Sequence, residues 1–155
     1  MLNNPTPHLR GSTVPRLICF SIPHHGLVDD PINICNPITR EYVILPSFNI
    51  EEEYKVYRKK NRSYRLQGRI VSGFGYHPST KEYKVVRIYF DGNQFFGRVQ
   101  VYTIGGGSGW RDKGEIPYSF PYYYSESPPQ GILANGSLHW VDNEERIVAF
   151  DLAKE

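Results

Sequence analysis

The sequence predicts an all-β chain assembled from repeated antiparallel four-stranded units. Three observations carry this expectation. The 155 residues include 14 glycines, 12 prolines, 12 tyrosines and 8 phenylalanines but one methionine, which is the composition of short aromatic strands broken by frequent turns. No segment holds a 3.6-residue apolar period, so helix is expected to be scarce. And one turn is written twice, 41 residues apart: Asn36-Pro37-Ile38-Thr39-Arg40-Glu41-Tyr42 and His77-Pro78-Ser79-Thr80-Lys81-Glu82-Tyr83. A spacing near 40 is what a β-propeller blade or another solenoid unit produces.

Residues 1–14 are polar and punctuated by proline, and are expected to be loose. Leu17 to Ser21 is a short apolar run and reads as a strand, followed by the loop Pro23 to Pro31. Ile32 to Cys35 and Tyr42 to Leu45 are strands on either side of the Asn36 turn. There Pro37 pre-sets φ for a turn, and the Asn36 side chain can bond the backbone two residues on. Residues 47–69 differ. Three glutamates (51–53) precede Lys55, Arg58, Lys59, Lys60, Arg62, Arg65 and Arg69, which reads as a charged, solvated insertion.

The densest strand signal follows. Ser72 to Tyr76 leads through the His77 turn into Tyr83 to Phe90, which alternates with apolar bulk on both faces: Val86, Ile88 and Phe90 on one, Tyr83, Val85 and Tyr89 on the other. A sheet covered on both sides, as a blade is between its neighbours, requires that pattern. Asp91-Gly92-Asn93 is a hairpin signal before the strand Val99 to Ile104. Gly105 to Gly109 turns the chain into Trp110-Arg111, and 115–130 reads as a long Pro/Tyr/Ser loop. Gly131 to Ala134 and Ser137 to Val141 are strands joined by Asn135-Gly136, the strongest two-residue hairpin signal. Ile147 to Leu152 is the last strand.

Aligning strands instead of turns corrects the repeat. The strands at Ile32, Val99 and Ile147 occupy equivalent places at intervals of 67 and 48 residues, and removing the charged insertion brings both near one unit of ~45 residues. The doubled turn is therefore shared turn chemistry at two different corners. Two to three units fit in the chain, fewer than the four a closed ring needs. The expected fold is an incomplete β-propeller-like array of two to three antiparallel four-stranded blades, occupying 15–155.

Five segments in this order, INICNPITREYVILP, GFGYHPSTKEYKVVRIYF, VQVYTIGGGSGWR, GILANGSLHWV and IVAFDLAKE, resemble the plant F-box-associated domain over roughly residues 11–155. That resemblance implies a kelch-type propeller. Such domains follow an N-terminal F-box that docks on the Skp subunit of an SCF ubiquitin ligase, and they select the substrate. The chain departs from the pattern in three ways. No helical F-box precedes the propeller-like part. Val14-Pro15-Arg16 replaces the family's Asn-Gly turn before Leu17-Ile18-Cys19-Phe20. And the chain stops where further blades would follow, so a fragment, a truncated gene model or a decayed member is expected.

The totals bound the rest. A net charge of +2 is too small to argue for nucleic acid. The N-terminus has no apolar core of a signal peptide, and no run approaches a membrane span. Cys19 and Cys35 read as free thiols of a reducing compartment, so a cytoplasmic or nuclear setting is expected. The sequons at Asn61 and Asn135 then read as chance matches.

Two groups are candidate partner-binding sites. Tyr122, Tyr123 and Tyr124, flanked by Phe120, Pro121 and Pro128-Pro129, read either as aromatic anchors on a recognition loop or as a local lid over a blade edge. The basic patch of Lys55, Arg58, Lys59, Lys60, Arg62 and Arg65 interleaves Tyr54, Tyr57 and Tyr64. It reads either as a surface for nucleic acid or an acidic partner or as a solvated inter-blade loop, which is preferred.

The remaining candidates read as structural. The glycine run at 105–109 lacks the Lys-Ser/Thr tail of a phosphate loop, and Ser108 sits in no nucleophile elbow because Trp110 replaces the second glycine. His24, His25, Cys19 and Cys35 have no metal-ligand spacing, and Asp29 and Asp30 lack a partner. His139 reads as a packed strand histidine, and Trp110 and Trp140 as inter-blade packing.

No catalytic constellation, cofactor site or metal site is expected. The expected function is a non-enzymatic interaction module: the substrate-recognition part of an SCF-type ligase, binding an unknown protein substrate. Without an F-box it is not expected to bind the Skp subunit directly. The alternatives are a fragment without independent activity and, behind it, a propeller-type enzyme or sugar binder.

Overall fold

The computed structural model describes residues 17–21, 33–47, 69–90, 96–121 and 129–155. Among these there are ten strands and no helix: β1 (Ile18–Phe20), β2 (Asn33–Cys35), β3 (Tyr42–Ile44), β4 (Arg69–His77), β5 (Glu82–Phe90), β6 (Gly97–Thr103), β7 (Trp110–Ile116), β8 (Gln130–Ala134), β9 (Ser137–Val141) and β10 (Ile147–Asp151). The strands form three antiparallel meanders, β1-β2-β3, β4-β5-β6-β7 and β8-β9-β10. The fold is the incomplete all-β propeller-like array that the sequence predicts.

The central meander has a core on each side. Val86, Ile88 and Phe90 of β5, with Val71, Val99 and Val101, meet Leu138, Trp140 and Leu152 of the third meander. On the opposite face Val85 meets Ile34 and Leu45 of the first, with Cys19, Val43, Phe74, Tyr102 and Trp110 around them. Strand β5 is consequently buried continuously from Lys84 to Phe90. Each of its large apolar side chains stabilises the fold by about 1.5–3 kcal/mol on burial. Trp110 and Trp140 both fill these inter-blade contacts. Trp110 Nε1 donates to the Pro46 carbonyl at 2.7 Å, and the Arg87 guanidinium lies 3.7 Å from the centroid of the Trp110 ring.

The second and third meanders are joined, which the sequence did not predict. Strands β4 and β8 pair in parallel over Ser72↔Gln130 and Gly73↔Gly131, giving one sheet of order β10-β9-β8-β4-β5-β6-β7. Two glycines permit this approach. A Cβ on Gly73 would lie 2.8 Å from Trp140 Cζ2, and one on Gly131 2.5 Å from its Cε2. The Trp140 ring covers both positions and donates from Nε1 to the Ser72 carbonyl at 3.0 Å.

Strand β7 replaces what reads in sequence as a turn followed by the start of a loop. Its sequence, WRDKGEI, has no apolar alternation and its central residues are exposed. Pairing with β6 overrides the weak propensity, and the charges suit an edge strand. Strand β4 likewise begins three residues earlier than expected, so Arg69 belongs to a strand and not to the charged insertion.

The turns explain the doubled motif. Asn36 Oδ1 accepts from the amides of Ile38 and Thr39 at 3.0 and 3.4 Å, Arg40 N donates to Asn36 O at 2.8 Å, and Arg40 has φ 61°. In the second copy His77 Nδ1 accepts from Thr80 N at 3.4 Å and Lys81 has φ 56°. The first joins β2 to β3 and the second β4 to β5, two different corners. The equivalent of Asn36 is Asp151. Its Oδ1 accepts from Ala153 and Lys154 at 2.8 and 3.1 Å, Glu155 N donates to Asp151 O at 3.0 Å, and Glu155 has φ 52°. This match supports the register through Ile32 and Ile147. Asn135 and Gly136 have φ 51° and 77°, the two positive values of a type I′ hairpin.

Candidate interaction face

The two inner strands β4 and β8 begin at the same end of the sheet, because they run in parallel. Strand β5 ends there at Phe90, β7 at Ile116 and β9 at Val141. Residues 117–121 and 142–146 therefore lie on one face of the molecule, and a polar network ties them together. Arg69 Nη2 donates to Ser119 Oγ at 3.1 Å, with its guanidinium 4.6 Å from the centroid of the Phe90 ring. Asn143 binds Ser119 twice, from its backbone amide to the carbonyl and from Nδ2 to Oγ, both at 2.8 Å. Beside them Arg146 lies 5.6 Å from the Tyr118 ring centroid and pairs with Asp142 and Glu144 at 2.7 and 2.9 Å.

Asp142 organises the turn. Its Oδ1 accepts from the amides of Glu144 and Arg146 at 2.9 and 2.8 Å. Burial pushes its carboxyl up, but the Arg146 side chain and these amides outweigh burial and hold it below the usual carboxylate range. The turn is thus pinned as an anion cradled by donors.

Phe120 is not the exposed anchor that the sequence suggests. It is fully buried, 6.0 Å from Phe90 and 6.2 Å from Trp140 between ring centroids. It fixes the stem of the 115–130 segment to the core instead of meeting a partner. Tyr122, Tyr123 and Tyr124 lie outside the described residues, as do Lys55, Arg58, Lys59, Lys60, Arg62 and Arg65, and His24, His25, Asp29 and Asp30. Their flanks are informative all the same. The charged insertion leads into β4 at Arg69 and the tyrosines follow Phe120 in sequence, and Arg69 donates to Ser119, the neighbour of Phe120. Sequence reasoning missed Ser119 and Asn143, whose partners lie 50 and 24 positions away.

At the opposite end a second cluster links the third meander to the second. Glu155 accepts from Lys84, Arg111 and Lys113 at 2.6, 2.5 and 2.7 Å. Lys84, itself buried, also donates to the Leu152 carbonyl at 2.7 Å. Burial opposes ionisation of Glu155, but bonds from Lys113, Lys84 and Arg111 prevail and lower its carboxyl from 4.5 to about 2.

Cys19 pairs across the ladder with Ile34 and Cys35 with Ile18, so the two thiols sit on opposite faces of the first meander; neither forms a disulfide. His139 is half-buried, its Nδ1 3.4 Å from the Ile132 carbonyl. Among the described residues no three His, Cys, Asp or Glu side chains gather as a metal site, and no helix is long and apolar enough to cross a membrane. The face at 117–121 and 142–146 is a hydrogen-bonded charged and aromatic platform.

An incomplete all-β propeller-like array defines a class, and comparison with known proteins supplies the family. Residues 3–155 match the model of the F-box associated beta propeller domain, and the chain belongs to that family. It is similar to an F-box protein of Arabidopsis thaliana, with 31% identity covering 90% of this chain and 35% of the relative. An F-box/kelch-repeat protein of the same plant is 32% identical, covering 97% of this chain and 34% of the relative. The chain spans about a third of the length of these curated relatives. No solved structure matches it.

Proposed function

We propose that this chain is a non-enzymatic substrate-recognition module of the kind carried by SCF-type ubiquitin ligases, binding a protein substrate. The family match over residues 3–155 carries the reading. The relatives named as F-box proteins support it, and so does the platform at 117–121, which roots the tyrosine segment on a core aromatic. Tyr122, Tyr123 and Tyr124 are the proposed contact residues. We further propose that residues 1–155 by themselves do not bind a Skp subunit directly; titration calorimetry of this segment with purified Skp checks this, and micromolar binding would contradict it.

The test of the recognition site is affinity capture from plant extract with the proteasome inhibited, comparing the wild type with a variant carrying Ala at 122, 123 and 124. The expected result is a reproducible set of proteins at least tenfold depleted in the variant, which melts at the wild-type temperature. Equal capture by both removes the tyrosines from the site. Loss of cooperative melting in the variant shows instead that the rings are structural.

A further inference from the structure

Among the described exposed hydroxyls, Ser108 is the one that meets an arginine: Arg111 Nη1 donates to its Oγ at 3.3 Å. It stands on the turn 105–109 between β6 and β7, at the end of the sheet opposite the 117–121 face. Gly105, Gly107 and Gly109 there have φ of 80°, 71° and 69°. A Cβ at any of the three would meet no atom within 4 Å, so the turn is open around the exposed serine. The other hydroxyls differ. Thr39 donates to Glu41 at 2.8 Å, where a second negative group would be repelled. Ser119 accepts from Arg69 but is half-buried and held twice by Asn143.

The surroundings of Ser108 carry an excess of positive charge. Arg111 Nη2 donates to Thr103 Oγ1 at 3.0 Å and to Glu155 at 2.5 Å. Lys113 and Lys84 bind the same carboxylate at 2.7 and 2.6 Å, and Lys84 reaches Glu82 at 3.3 Å. Asp112 is engaged elsewhere, by the Gly114 amide at 2.7 Å and Arg98 at 3.9 Å. Lys84, Arg111 and Lys113 thus face only Glu82 and Glu155. Glu155 demonstrates how well this cluster holds an anion, since its carboxyl falls from 4.5 to about 2. A phosphoserine brings about −1.5 to −2 charges, and a guanidinium fork matches phosphate oxygens in pairs.

We propose that Ser108 is a phosphorylation site whose phosphate is received by Arg111. A protein kinase supplies the phosphoryl group from ATP. A bond forms from Ser108 Oγ to the γ-phosphorus as the bond from that phosphorus to the bridging oxygen breaks. ADP leaves with the electron pair, and the hydroxyl proton passes to the base of the kinase. The phosphate then clamps the open turn to β7. The inference is independent of the substrate-recognition reading. Ser108 also belongs to the central meander and not to either end face.

Two measurements test it. The folded chain is incubated with plant extract and ATP, and its phosphopeptides are mapped by mass spectrometry. Phosphate is expected on Ser108 and is absent from that peptide in Ser108→Ala; no phosphate at Ser108 overturns the proposal. In the second, phosphoserine is incorporated at position 108 and titrated by phosphorus NMR. Its second ionisation ordinarily lies at about 6. In the folded chain it is expected to lie lower by about 0.5 or more than in the same chain unfolded in urea, because Arg111 favours the dianion. Arg111→Ala is expected to remove that difference. This variant also loses a partner of Glu155, so circular dichroism checks its fold. Arg111→Gln, which keeps hydrogen-bond donors without the charge, replaces it if it unfolds. An ionisation equal in folded and unfolded chains, or one unmoved by loss of the guanidinium, overturns the proposal.

Discussion

Trp140 is the residue on which two meanders depend, and its neighbours are glycines because nothing larger fits. Gly131→Ala would place a methyl within the indole, since the nearest ring atom is 2.5 Å from the ideal Cβ. The ring cannot yield, being buried against Phe120 and tied to Ser72. The substitution is expected to destabilise by about 1–3 kcal/mol, the usual effect of overpacking, read from urea melts. Glu155 gives a pH signature. Its folded carboxyl is depressed from 4.5 to about 2, so its stabilisation is present above pH 4.5 and is lost as pH falls towards 2. Glu155→Gln should lower the urea midpoint at pH 7, and the gap from wild type should close between pH 4.5 and 2. A gap independent of pH would mean that the side chain acts through packing alone.

At the scale of elements, one turn design serves three corners of the chain. A side chain at the first position caps backbone amides two or three residues on, and the fifth position takes φ near 50–60°. Asn36→Ala deletes a buried side chain that caps an exposed turn and is expected to cost about 1 kcal/mol, measured by denaturant titration. Strand β7 shows the opposite balance. WRDKGEI has little strand propensity of its own and exists because β6 offers a ladder, so its state is set by a neighbour and not by its sequence.

For the whole molecule, the central meander is shared by both cores. Its strand β5 is covered on each face, whereas the three-residue strands β1, β2 and β3 have one bare face. Native-state hydrogen exchange should therefore find the slowest amides in β5, near the global unfolding limit, and the fastest strand amides in β1–β3. Equal protection in the two regions would show that something else covers the first meander. The face at 117–121 and 142–146 is a property of this scale too. It exists because parallel β4 and β8 begin together and bring Arg69, Ser119 and Asn143 within bonding distance.

The sequence by itself determined the strands with strong alternation, the hairpin at Asn135-Gly136, the double burial of β5, the repeat register and the family. Each of these is written in a few adjacent residues: a period of two along a strand, a residue pair that accepts positive φ, or a motif read in place. Only the tertiary structure decided that Phe120 lies in the core, that β4 and β8 join through Gly73 and Gly131, and that β7 is a strand. It alone brought three cations onto Glu155. These outcomes depend on partners up to 71 positions apart, and local periodicity carries no information about which distant surfaces will meet.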